Sequence, residues 1–338
     1  MDKEIDLSRF NIRTDLAIDY IDKKAGLKGV KSKQQTINGI KVTSVTLDAD
    51  NVLNKKKGKY ITIEFDDITD SKNEKKVTSV LTLLLKKMLN VKHNTLGLVV
   101  GLGNINSTPD SLGPLSIDNI IITNHIYNLS CLSSNYSRIC AIKPSVMGET
   151  GIETSSIIEG VVNKIKPDYL IIIDSLASSS IERLNKTIQI TDTGIHPGSG
   201  IGNERKEISR DTLNIPVYAI GVPTVASASV IVKDTINFIY KNYAFNKDYV
   251  KKPSNKLLHN TNYLKKKINE NDNDKRELLG YIGTLTDDEL KLLLDEVLNP
   301  IGYNFMVTPK EIDFVIKKMS NIVSSSINNA VHKIDKNN

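Results

Sequence analysis

The chain has 338 residues, 39% of them hydrophobic, and a formal charge of +6. That size suits one large or two modest α/β domains around a sizeable core, and no stretch approaches the ~20 apolar residues of a membrane span. Two cysteines without a CxxC pair, and five scattered histidines, exclude zinc-ligand spacing. The N-terminus, MDKEIDLSRFNIRTDLA, is charged and has no apolar core, so it is not a secretory signal. Without export, Cys131 and Cys140 read as free thiols and the chain as cytoplasmic.

An early β region opens the chain. IKVTSVTLD (40–48) alternates and YITIEF (60–65) follows a lysine-rich turn, which predicts a β-ribbon or hairpin. Residues 75–89 have helical spacing. Strands then alternate with helices: 96–100 before a helix over 115–127, 139–143 before 153–165, 169–173 before a short helix near 178–185, and 216–221 before 227–241. Strand 187–192 follows its predecessor too closely for a full crossover and is predicted to run antiparallel. Continuous apolar strands in βα repeats predict an α/β fold, a mostly parallel sheet with helices on both faces.

The last part is helical. Thr286 with Glu289, and Thr308 with Glu311, fit the capping box, and Pro309 suits a first helical position; they predict helices over 287–298 and 309–333. Residues 241–276 hold ten Lys/Arg against four Asp/Glu, which matches the whole charge excess. This stretch is expected to be a solvated basic surface insertion, since no recognition motif for nucleic acid accompanies it.

Several templates fail. GLGNIN (101–106) lacks the third glycine of a dinucleotide loop, and GIHPGSGIGNERK (194–206) lacks phosphate-loop spacing. No GxSxG elbow is present, and nothing local pairs Ser145 or Ser199 with His and Asp. No cofactor or resident metal is expected. Two acids stand out instead. Asp174 ends the apolar run YLIII, and Asp110 lies on the Gly-rich loop leaving strand 96–100. In an open α/β sheet, ligands bind outside the strand carboxyl ends. If the two strands are neighbours, Asp110 and Asp174 share a cleft, where one carboxylate can take a proton from water and the other can donate one. On spacing alone the alternative stands equally: Asp110 caps a turn and Asp174 caps the next helix.

The blocks GLGNINSTPDSLGP (101–114), VMGETGIETS (146–155), IKPDYLIIIDSLA (165–177), TIQITDTGIHPGSGIGNERKEIS (187–209), TLNIPVYAIGVPTV (212–225) and NPIGYNFMVTPKEID (299–313) occur in that order. Together they resemble the germination proteases of spore-forming bacteria, over nearly the whole chain. The resemblance implies a fold similar to hydrogenase maturation proteases and an atypical aspartic endopeptidase that degrades small acid-soluble DNA-binding spore proteins. It implies a zymogen, a homotetramer and a location in the spore core, with neither nucleic acid nor membrane as a direct partner. The family's catalytic acids fall on Asp110 and Asp174. Family substrates are cut after an acidic residue, and RTDLAID (13–19) is similar to that motif, implying self-cleavage between Asp15 and Leu16. Residues 1–15 would then be a propeptide and 16–338 a single α/β catalytic domain with a helical part over 277–333. Tethering gives such a segment a high effective concentration at the cleft.

An acidic residue beside the cut calls for a cation, and Arg205 and Lys206 are the candidates on chemistry. The chain departs from the family in two runs, SLASSS after Asp174 and ASAS at 226–229. Two alternatives follow: a metal-dependent protease of the same fold, with Asp110, Asp174 and His196 as ligands, or a catalytically weakened binder of the same substrates.

Overall fold

The strand that carries Asp174 lies inside a mixed sheet, with two strands beyond it on one side. The computed structural model describes residues 15–21, 29–50, 55–91, 94–129, 133, 135–197, 206–250, 271–298 and 305–333. In chain order the strands are β1 (Val30–Ile37), β2 (Ile40–Leu47), β3 (Gly58–Glu64), β4 (Leu96–Gly101), β5 (Arg138–Ile142), β6 (Tyr169–Ser178), β7 (Thr187–Thr191), β8 (Val217–Ser227) and β9 (Met306–Val307). The helices are α1 (Ile18–Ile21), α2 (Ser71–Leu89), α3 (Leu112–Ile117), α4 (Asn124–Asn128), α5 (Met147–Thr150), α6 (Thr154–Ile165), α7 (Arg210–Leu213), α8 (Ala228–Val250), α9 (Asp272–Leu279), α10 (Asp287–Leu298) and α11 (Ile312–Val331).

The described residues fall into two compact units. The larger comprises those within 13–178, 182–225 and 308–338. Its strands are ordered β1-β2-β3-β7-β8-β6-β4-β5. β4 pairs in parallel with both β5 and β6, whereas β1, β2, β3, β7 and β8 pair antiparallel with one another in sequence of position. The sheet is therefore mixed rather than mostly parallel, because the early strands join it at β3–β7 instead of standing apart.

Alternation along the buried strands sends successive side chains to opposite faces. Val99, Ile171, Ile173, Ile190 and Val222 share a core with Val77, Leu81 and Leu85 of α2 and Met319, Val323 and Ile327 of α11. Leu98, Val100, Leu170 and Ile172 pack with Ile158 and Val162 of α6. Helices thus cover both faces, and each fully buried Leu, Ile or Val contributes about 1.5–3 kcal/mol.

Several boundaries differ from expectation for physical reasons. A helix over 115–127 gives way to the short α3 and α4. Between them Thr123 binds β5: its N–H donates to the Ile139 carbonyl (3.0 Å) and its hydroxyl accepts from the Ile139 N–H (2.9 Å). β6 runs on to Ser178, which leaves room before β7 for only one 3-10 turn, Ile181–Arg183, where a helix was expected. Thr308 does not cap α11. Its hydroxyl donates to the Thr224 carbonyl at 2.9 Å, and the helix starts four residues later.

The smaller unit comprises the described residues within 179–181 and 226–307. There Ala226 and Ser227 pair antiparallel with β9, and α8 packs on α9 and α10. The Asn271 N–H donates to the Tyr240 hydroxyl at 2.7 Å, and Lys247 pairs with Asp274 at 2.7 Å. Helix α8 extends to Val250, so the first part of the basic stretch is helix; residues 251–270 lie outside the described residues. The Thr286–Glu289 capping box forms as expected, the Thr286 N–H donating to the Glu289 carboxylate at 2.8 Å.

Candidate active site

Parallel pairing of β4 with β6 matches Gly101 with Ile173, the residue before Asp174. The loop leaving β4 turns directly onto this pair, the Leu102 N–H donating to the Ile173 carbonyl at 2.8 Å. Two glycines make that path possible. A Cβ on Gly113 would lie 2.2 Å from the Leu102 carbonyl oxygen, so only glycine lets α3 sit on the end of β4. Gly103 has φ +111, and a Cβ there would meet the Asp110 carbonyl oxygen at 2.0 Å.

Asp110 closes a 3-10 turn, Thr108–Asp110, that packs against β6. Its carboxylate folds back over the loop, Oδ2 accepting from the Asn104 N–H at 2.8 Å. Asp174 is 7% exposed and lies inside β6 rather than at its end, so it does not cap a following helix. Its Oδ1 accepts from the Ser175 N–H at 2.9 Å. The neighbouring-strand condition for a shared cleft is therefore met.

The segment singled out for self-cleavage lies on the same strand. The Asp15 N–H donates to the Ala177 carbonyl (3.3 Å), and the Ala177 N–H donates to Asp15 Oδ2 (2.9 Å). Beyond Asp15 the chain is buried: Leu16 and Ile18 pack with Leu176, and Ala17 packs with Val45, Leu47 and Tyr60. Asp19 is clamped by Arg183 at 2.5 Å.

Two side chains that the sequence did not single out meet the Asp15 carbonyl. Lys55 Nζ and Gln189 Nε2 each donate to it at 3.1 Å. The Gln189 Oε1 accepts from the Ala17 N–H at 2.7 Å. Burial pulls the Lys55 ammonium below the ordinary lysine range, against the opposing pull of Asp15 and Asp19. A signal for Gln189 existed, a long polar side chain in the buried strand TIQIT. Lys55 was hidden in the run KKKGK.

Arg205 and Lys206 were the cations expected to read an acidic substrate. Lys206 pairs with Glu159 of α6 at 3.1 Å on the surface, and Arg205 is outside the described residues. His196 is exposed, with Nε2 3.8 Å from Glu207. Among the described residues no group of three or more His, Cys, Asp or Glu is placed to hold a metal, and no helix is long and apolar enough to cross a membrane. Cys140 is a free thiol, its pKa raised by burial; Cys131 is outside the described residues.

Residues 11–338 match the family model described as germination protease. A germination protease of Priestia megaterium (strain ATCC 12872 / QMB1551) is 45% identical over 364 aligned positions, covering 100% of this chain and 98% of the relative. One from Bacillus cereus (strain AH187) is 44% identical over 361 positions, and one from Bacillus anthracis is 44% identical over 362, each with the same coverage.

Proposed function

The chain belongs to the germination protease family, and on that premise we propose an endopeptidase that uses Asp110 and Asp174 to activate water. It degrades small acid-soluble DNA-binding spore proteins in the spore core, cutting after an acidic residue. It is made as a zymogen, a homotetramer that trims itself between Asp15 and Leu16. The observation that carries this reading is the docking of Asp15 on Ala177, three residues along β6 from Asp174.

In this chemistry one ionised carboxylate removes a proton from the attacking water. The other, protonated, supplies the proton that the leaving nitrogen needs. No covalent enzyme intermediate is required.

The test is incubation of the purified full-length chain, with mass spectrometry of its N-terminus and a peptide cut assay. Asp110→Asn and Asp174→Asn are expected to slow both trimming and peptide hydrolysis by about 10²–10⁴-fold while the fold is retained. Near wild-type cleavage by either variant removes that residue from the mechanism. The same runs with and without a strong chelator separate water activation by carboxylates from a metal-assisted route, and light scattering gives the subunit number.

A further inference from the structure

The Asp15 carbonyl is the atom that becomes negatively charged when water attacks the Asp15–Leu16 bond. Two side-chain donors meet it, Lys55 Nζ and Gln189 Nε2, each at 3.1 Å. The orientation of Gln189 is set by chemistry: the Ala17 N–H can donate only to the amide oxygen, so Nε2 must face the carbonyl. One side-chain amide thereby grips the chain on both sides of the bond, at Asp15 and at Ala17. Gln189 is itself held by the sheet, paired with Thr62 of β3 and Gly221 of β8, and is 5% exposed.

We propose that Lys55 and Gln189 form the oxyanion-stabilising pair for self-cleavage between Asp15 and Leu16. The inference rests on the reading of that bond as the self-cleavage site. Water adds to the Asp15 carbonyl carbon, and the carbonyl π pair moves onto the oxygen, where the two donors hold the charge. The water proton goes to a carboxylate base. Collapse re-forms the C=O and breaks the C–N bond, and the leaving nitrogen takes a proton to become the Leu16 amine. Asp15 keeps the water oxygen as part of its new α-carboxyl group. Water is the only co-reactant. Donors already aimed at the oxygen need little reorganisation as charge develops.

The test uses the full-length chain and follows appearance of the Leu16 N-terminus by mass spectrometry. Lys55→Met removes a donor and keeps the apolar stem; Gln189→Glu keeps the acceptor for Ala17 and removes the donor. Each is expected to slow trimming by about 10²–10³-fold, the loss typical of one oxyanion donor, and Lys55→Arg is expected to recover much of the rate. Hydrogen exchange at the Ala17 amide separates chemistry from docking: the proposal requires that protection persist while trimming is lost. Variants that trim at the wild-type rate overturn the pair alone. Loss of Ala17 protection together with trimming in all three variants makes the two side chains structural and also overturns it. A wild-type chain that never yields the Leu16 terminus sinks the self-cleavage reading and the pair with it.

Discussion

Asp19 holds in place the segment that follows the candidate cut. Its side chain is 1% exposed and lies 2.5 Å from the Arg183 guanidinium, which also faces Glu64 at 3.8 Å. Removing one partner of a buried pair leaves the other charge desolvated, a loss of about 3–5 kcal/mol. Glu64 stays within reach of Arg183, so Asp19→Ala is expected near about 3 kcal/mol, read locally as lost exchange protection of the Ala17 amide. A shift below about 1 kcal/mol would rank the pair with surface ion pairs. The same residues show what could be read in advance. Asp174 was visible because an acid ending a wholly apolar run is locally anomalous, and Asp110 because it lies on the Gly-rich loop leaving another such run. The roles of Gln189 and Lys55 were not, because each acts through a contact with Asp15, 174 and 40 positions away respectively, that only the sheet order creates; the polar residue in TIQIT marked Gln189 as unusual without naming its partner.

At the scale of elements, helix starts separate a real cap from an apparent one. Helix α2 begins where the Asp70 side chain accepts from the Lys72 N–H at 3.0 Å. Asp70→Ala is therefore expected to cost about 1 kcal/mol, read as faster exchange of the first-turn amides of α2; no measurable change would mean that water satisfies the first turn equally well. The Thr308–Glu311 pair has the same sequence form as Thr286–Glu289, yet Thr308 is drawn to the Thr224 carbonyl. Local pattern cannot see such a tertiary competitor. Strand β1 was missed for the opposite reason. VKSKQQTI is polar and exposed along most of its length, so it carries no apolar alternation. Its signal lay in the turn: Asn38 (φ 51) and Gly39 (φ 78) make the Asn-Gly hairpin that a right-twisted strand pair prefers. Strands β4, β5 and β7 and helices α6 and α10 were legible because their apolar spacing and their packing agree.

At the scale of the molecule, acid should loosen the larger unit through the end of α11. His332, just past that helix, is buried between two backbone partners. Its Nδ1 accepts from the Ser137 N–H at 3.1 Å, and its Nε2 faces the Ile121 carbonyl at 3.2 Å, which assigns the proton to Nε2. Tyr136 packs against the ring at 5.2 Å between centroids. A second proton would put a donor on Nδ1 against the Ser137 donor. Burial lowers the His332 pKa, only partly offset by the Ile121 carbonyl. The unfolded imidazole binds its proton near about pH 6.5, and the folded one binds it only at lower pH. Between those values the unfolded state holds more protons, so stability rises with pH there. The contribution of His332 is thus complete above the unfolded pKa and is lost as pH falls through and below it. Global unfolding of a chain with two compact units is not expected to be two-state, so the decisive readout is local: exchange protection of the Ser137 amide between pH 7.5 and 5.5, compared with His332→Gln. Protection should fall with acid in the wild type and respond less in the variant. Equal acid sensitivity in both would assign the effect to other titrating groups and leave His332 as packing alone.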